Sequence, residues 1–95
     1  MSQQRIVLRI PKDLTKLAGN KFGEKVYEEI KNEININNTL VFVLPDSIDR
    51  VASSFVQGFF NDLYKKLGYK GIEEKVDFET TIENFKDFVL KNLEW

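Results

Sequence analysis

Residues 45–54 read Pro-Asp-Ser-Ile-Asp-Arg-Val-Ala-Ser-Ser and gather the side chains with most chemistry to offer: Asp46, Ser47, Asp49, Arg50, Ser53 and Ser54. The acids and the guanidinium can grip a protein partner or a small ion, although two carboxylates without a third ligand make a poor metal site. Asp and Ser after Pro are also ordinary turn formers. Ser53 and Ser54 stand where a helix should begin, and Ser is among the best N-cap residues, accepting from amides the helix leaves unpaired. Neither has the partners of a nucleophile. The chain contains no His and no Cys, and no Lys has an evident reason to act as the base. Ser–His and Cys–His catalysis, thiolate metal sites and disulfides are all excluded on the same grounds. The expectation is a protein that is not an enzyme and carries no cofactor.

The elements on either side must position this segment. Before it lies a continuous apolar run, Leu40, Val41, Phe42, Val43 and Leu44, too short for a free helix and rich in strand formers. After it, Phe55, Val56, Phe59, Phe60, Leu63, Tyr64 and Leu67 recur at helical spacing. A buried strand that hands a polar loop to a helix N-terminus is where open α/β sheets usually place their function.

The rest of the chain supplies the same kinds of unit. Residues 5–10 alternate and predict a half-buried strand ended by Pro11. A connection over residues 12–17 leads to Gly19 and Asn20 and then to a helix through about residue 32, with Phe22, Val26, Ile30 and Ile34 at four-residue spacing. Residues 35–38 are Asn-rich and predict a turn. The Phe-rich helix should stop at Gly68, after the basic pair Lys65 and Lys66. Residues 69–71 read as a short connection. Residues 72–78 alternate, with Ile72, Val76 and Phe78 on one side and Glu73, Lys75 and Asp77 on the other, and predict a third strand. Thr80 and Glu83 have capping-box spacing for a last helix bearing Ile82, Phe85, Val89 and Leu93.

The order predicts a small βαβαβα domain of the α/β class, a three-stranded, mainly parallel sheet with helices packed on one face. Ile6, Leu8, Ile10, Leu40, Phe42, Leu44, Ile72, Val76 and Phe78 should face the helices. Arg5, Val7, Arg9, Val41, Val43, Glu73, Lys75 and Asp77 should face away, three Val inside a charged margin. Ninety-five residues suit a single domain, 1–95. A net charge of -1 argues against general nucleic-acid binding. No apolar run approaches a membrane span, and the N-terminal residues lack a signal-peptide core, so the reading is a cytoplasmic protein with no membrane partner. Through Thr39 seven basic residues stand against five acidic, and from Lys70 onward four stand against seven. Such polarity could steer a charged partner. Of the Phe-rich helix, Phe60 or Tyr64 is the candidate for an exposed edge.

The segment over residues 41–55, VFVLPDSIDRVASSF, resembles the STAS domain, the sulfate-transporter and anti-sigma factor antagonist domain. It resembles more closely the small STAS-like family of unknown function of bacteria and their mobile elements, with its strand–loop–SSF pattern. Lys21, Phe22 and Gly23 and the helix after them fit the region upstream. The resemblance implies a phosphoprotein switch in which a kinase phosphorylates a Ser at the helix start and the phosphate controls binding to that same partner. Ser53 takes the phosphorylated position and Ser54 the one after it. By the same resemblance the partner is a bacterial regulatory kinase or ATPase. Ala52 and Phe55 stand where the antagonists have an acid and a Gly, and Leu44, Gln57 and Gly58 where the STAS-like family often has acids. The rival expectation is a small phage or mobile-element protein that binds and blocks or scaffolds a host factor without phosphorylation.

Overall fold

Alternation in the first strand and β-branched and aromatic residues in the second build the sheet. The computed structural model describes residues 2–93. Strands β1 (Gln3–Val7), β3 (Thr39–Val43) and β5 (Val76–Glu79) form a parallel sheet in the order β1-β3-β5. Arg5 sits beside Val41 and Val41 beside Asp77, and Val7, Val43 and Glu79 make the next row. Helix α1 (Asn20–Ile30), continued by a 3-10 turn over Lys31–Glu33, connects β1 to β3, and α2 (Ser53–Lys75) connects β3 to β5. The short helix α3 (Phe85–Lys91) follows β5. Right-handed crossovers that step the same way across a parallel sheet put their helices on one face. Ile6, Leu8, Leu40, Phe42 and Val76 are accordingly buried beneath them. No helix among the described residues is long and apolar enough to cross a membrane.

The core is aromatic. Phe42 of β3 meets Phe59 edge-on at 5.2 Å, Phe59 meets Phe60 at 5.0 Å, and Phe60 meets Phe78 at 5.9 Å. Phe78 then passes the contact to Phe85 of α3 at 4.9 Å. Edge-to-face geometry is the favoured one, so the series ties α2, two strands and α3 by direction as well as by area. Phe60 is fully buried in this series and is no exposed edge, whereas Tyr64 is half-buried.

Two elements depart from the sequence reading. Gly68 breaks α2 with φ 72 and ψ 173, a positive-φ conformation outside the αL well that is open to Gly, and the chain then turns helical again through Lys75. Ile72 is buried in this second helical piece and not in a strand, and the Val76 amide closes on the Ile72 carbonyl. The reason is visible in the residues. Ile72 and Val76 stand four apart, and a helix sends Glu73 and Glu74 to solvent, whereas a strand put Glu74 among the apolar residues. The third strand is therefore only Val76–Glu79. Glu73 and Lys75 do not belong to the sheet's open face. The last helix begins at Phe85, not at Thr80: the Thr80 hydroxyl accepts from the Ile82 amide in a local turn, and Asn84 enters the helix at φ 58.

The open face carries a strap. Arg5 of β1 donates from Nε to both carboxylate oxygens of Glu79 on β5, with its NH2 group 2.6 Å from one of them. The pair spans the central strand, about 10 Å at two strand spacings. Val41 beneath it is buried, Val43 half-buried, and only Val7 is broadly exposed, at 57%.

Helices α1 and α2 cross backbone to backbone at Gly23 and Gly58. A Cβ on Gly23 would lie 2.7 Å from the Phe59 nitrogen and nearer still to the Phe55 carbonyl oxygen. A Cβ on Gly58 would lie 2.8 Å from the Asn20 carbonyl carbon and nearer to its oxygen. Both obstacles are backbone, which cannot swing aside. Gly58→Ala should therefore lower the unfolding free energy by about 2–3 kcal/mol, even though Ala alone is about 1 kcal/mol better than Gly within a helix. Urea denaturation of the variant checks this, and an unchanged midpoint would refute the crossing.

Candidate functional site

The loops leaving the carboxyl ends of β1 and β3 run together. Lys16–Leu17 and Arg50–Val51 pair as two short parallel strands, β2 and β4. The residue 12–17 connection thereby gains a structure that its sequence did not announce. The Asp49 and Arg50 amides donate to the Thr15 carbonyl at 2.9 and 3.3 Å, and the Ala52 amide donates to the Leu17 carbonyl at 2.8 Å. Leu17 and Ile48 are both wholly buried beneath this ladder. Apolar anchors below and backbone bonds along the edge make the residue 45–52 loop a braced platform.

The platform sorts the candidate residues. Lys16 and Arg50 share a register position and both are exposed, while their neighbours Leu17 and Val51 turn inward. Two cations therefore stand side by side next to the start of α2. Asp46 and Asp49 are exposed and make no ion pair among the described residues. The Ser47 hydroxyl is buried and has no hydrogen-bond partner among them. No cluster of three or more His, Cys, Asp or Glu side chains suited to a metal ion occurs among the described residues.

Neither Ser caps α2. The N-cap position is Ala52, with no side-chain cap bond, and its carbonyl takes the Phe55 and Val56 amides. Ser54 looks sideways instead: its Oγ accepts from the Gly19 amide at 3.0 Å, tying the start of α2 to the start of α1. Gly19 has φ 98, so this amide is presented from a backbone conformation L side chains rarely adopt. Ser53, the first residue of α2, is exposed, and no acid lies in the first turn. The two Ser thus differ in kind. One is a brace and the other is open to solvent.

A second polar feature follows from the glycine crossing. One turn beyond Gly23 and Gly58 stand Tyr27 and Asp62, which the crossing sets face to face. The Tyr27 hydroxyl donates to Asp62 Oδ2 at 2.6 Å, and Lys66 Nζ lies 3.0 Å from the same oxygen. Burial, and then the bond to the Asp62 carboxylate, push the Tyr27 hydroxyl well above the usual phenol range. The same bond, followed by Lys66, holds the Asp62 carboxyl below the usual carboxylate range. These residues line an open groove of about 700 Å³ between the helices, together with Lys21, Lys25 and Asn61. Sequence reasoning missed the pair because the partners lie 35 residues apart. The available signal was Gly23 and Gly58, each four residues before one of them.

Compared with family models, with curated proteins and with solved structures, the chain matches none.

Two measurements test this geometry. Ser54→Ala leaves the Gly19 amide without its acceptor and should cost about 1–2 kcal/mol. Ser53→Ala should stay within about 0.5 kcal/mol, and equal costs for the two would overturn the distinction. For Asp62, a depressed folded pKa means stability that is present above about pH 4, the unfolded value, and is lost as pH falls through the lower folded value. Urea midpoints followed from pH 7 to acid should therefore fall less steeply for Asp62→Asn than for the wild type. Some slope should persist, because the Arg5 hydrogen bond also holds Glu79 below its usual range.

Proposed function

We propose that this chain is a non-enzymatic, STAS-like interaction module, a phosphoserine switch for a regulatory kinase or ATPase. Its contact surface is the residue 45–50 loop with the start of α2, and Ser53 is the modified residue. The observation that carries the reading is the division between the two Ser: Ser54 is engaged by the Gly19 amide, and Ser53 is exposed. A phosphate on Ser53 would meet the positive end of the α2 dipole, uncapped by any side chain and free of first-turn acid. Arg50, three residues earlier and exposed beside Lys16, adds charge of the sign that accommodates it. The resemblance of residues 41–55 to the STAS-like pattern supplies the class of partner. The backbone bonds that brace the loop also suit a surface that presents a fixed epitope.

Tagged wild type, Ser53→Ala and Ser53→Asp, used as baits in the producing cells, test the proposal. An ATPase or kinase should be captured by the wild type and by Ser53→Ala, with capture by Ser53→Asp changed by about tenfold or more. Mass spectrometry of the recovered wild type should find phosphate on Ser53 and not on Ser54. Equal capture by all three baits, with Ser53 unmodified, would refute the switch.

A further inference from the structure

The β2–β4 ladder carries a charge arrangement that folding does not require. Lys16 and Arg50 are register partners in parallel strands, so their exposed side chains stand on one face from backbones about 4.8 Å apart. Like charges set directly across a ladder destabilise it. Neither cation makes an ion pair or a side-chain hydrogen bond among the described residues. Asp13, Asp46 and Asp49 lie in the same two connections and relieve neither of them. The ladder is held instead by backbone bonds to the Thr15 and Leu17 carbonyls, over the buried Leu17 and Ile48. The same backbone could carry an opposite-charge pair at this position, with a gain in stability where there is now a cost.

We propose, resting on the phosphoserine-switch reading, that Lys16 and Arg50 together select the enzyme that modifies Ser53, and that this kinase meets them with carboxylates of its own. Sequences break a local rule of this kind chiefly where function requires it. Charge patterns around the modified hydroxyl are a common means by which kinases choose substrates. Arg50 stands three residues before Ser53, and the ladder brings Lys16 beside it from the other connection. Arg50 is the only cation in residues 45–54. The pair therefore exists only in the folded chain, and a kinase that reads it reads the platform and not a linear segment. A nucleic acid is the poorer occupant. Asp46 and Asp49 are exposed on the same loop, and a continuous chain of phosphates crossing the platform would run against them. A local pair of carboxylates can meet the two cations and leave the two acids to water.

Purified wild type, Lys16→Arg and Lys16→Glu, each incubated with ATP and a lysate of the producing cells, test the proposal, with phosphate on Ser53 followed by mass spectrometry. Wild type and Lys16→Arg should be modified at similar rates, and Lys16→Glu about tenfold more slowly or worse. The wild-type rate should fall as salt is raised through about 0.15 M, where exposed charges are screened within about 8 Å, and the Lys16→Glu rate should not. In urea, Lys16→Glu should unfold at a midpoint no lower than that of the wild type, because an opposite-charge pair replaces a repulsive one. Slow modification of a variant that folds at least as well reports lost recognition and not lost structure. Equal rates for Lys16→Glu and wild type, with Ser53 modified in both, would overturn this proposal and leave the switch standing. A lower midpoint for Lys16→Glu would overturn it too, by showing that Lys16 serves the fold. Wild type left without phosphate on Ser53 would remove the switch and this proposal with it. Oligothymidylate bound by the wild type and not by Lys16→Glu would overturn the acidic kinase surface in favour of a nucleic acid.

Discussion

Where α1 crosses α2 there is room for backbone and for nothing else. Gly23 lies against the Phe55 carbonyl and the Phe59 nitrogen, and Gly58 against the carbonyl of Asn20. With two hydrogen atoms as the only spacers, the helices approach more closely than side chains would allow. Much of the candidate site depends on that approach. The Ser54 hydroxyl can reach the Gly19 amide because the helix starts are held side by side. One turn along, Tyr27 can reach Asp62 for the same reason. Widening the crossing by one methyl group would separate both pairs and shift the first turn of α2, and with it Ser53.

A second constraint acts through the sheet. Only one face is covered by helices, so the central strand has to tolerate water on the other. The protein meets this with charge and not with another layer. The Arg5–Glu79 pair lies across β3 and takes Val41 almost wholly out of solvent. Both side chains stay about half exposed, so their ion pair adds little stability by itself. Its effect is geometric: an aliphatic Arg stem laid over a valine is apolar cover with its charge left wet. This reduces the three-Val patch anticipated from alternation to one broadly exposed residue, Val7.

The first strand, the helix that follows Asn20 and the buried central strand were all legible, because each rests on a pattern that its own residues display. The misreadings fall where two periods or two cap chemistries fit the same letters. Ile72, Val76 and Phe78 satisfy alternation, yet Ile72 and Val76 also satisfy one helical turn, and the helix wins by placing both Glu73 and Glu74 in water. Thr80 and Glu83 have the right spacing for a capping box, but the Thr80 hydroxyl is used locally by Ile82 before the helix begins. Ser53 and Ser54 sit at the predicted helix start, though capping requires an oxygen turned back along the axis, and Ser54 is drawn to Gly19 across the interface. The β2–β4 ladder and the Tyr27–Asp62 bond are long-range pairings of short or single elements, which no local pattern encodes.

These constraints also bear on how the proposed switch would act. The start of α2 is held from three directions: the Ala52 amide on the Leu17 carbonyl, Ser54 Oγ on the Gly19 amide, and Gly58 against Asn20. None of the three involves the Ser53 side chain. Moving α2 in response to charge added there would break the close backbone contact of Gly58 with Asn20. A regulatory effect at Ser53 would then have to be read directly by whatever touches the surface, as charge beside Lys16 and Arg50, and not relayed through a change of fold. The proposed switch would then draw its selectivity from the complementarity of the partner, with this chain presenting the charge on a fixed surface.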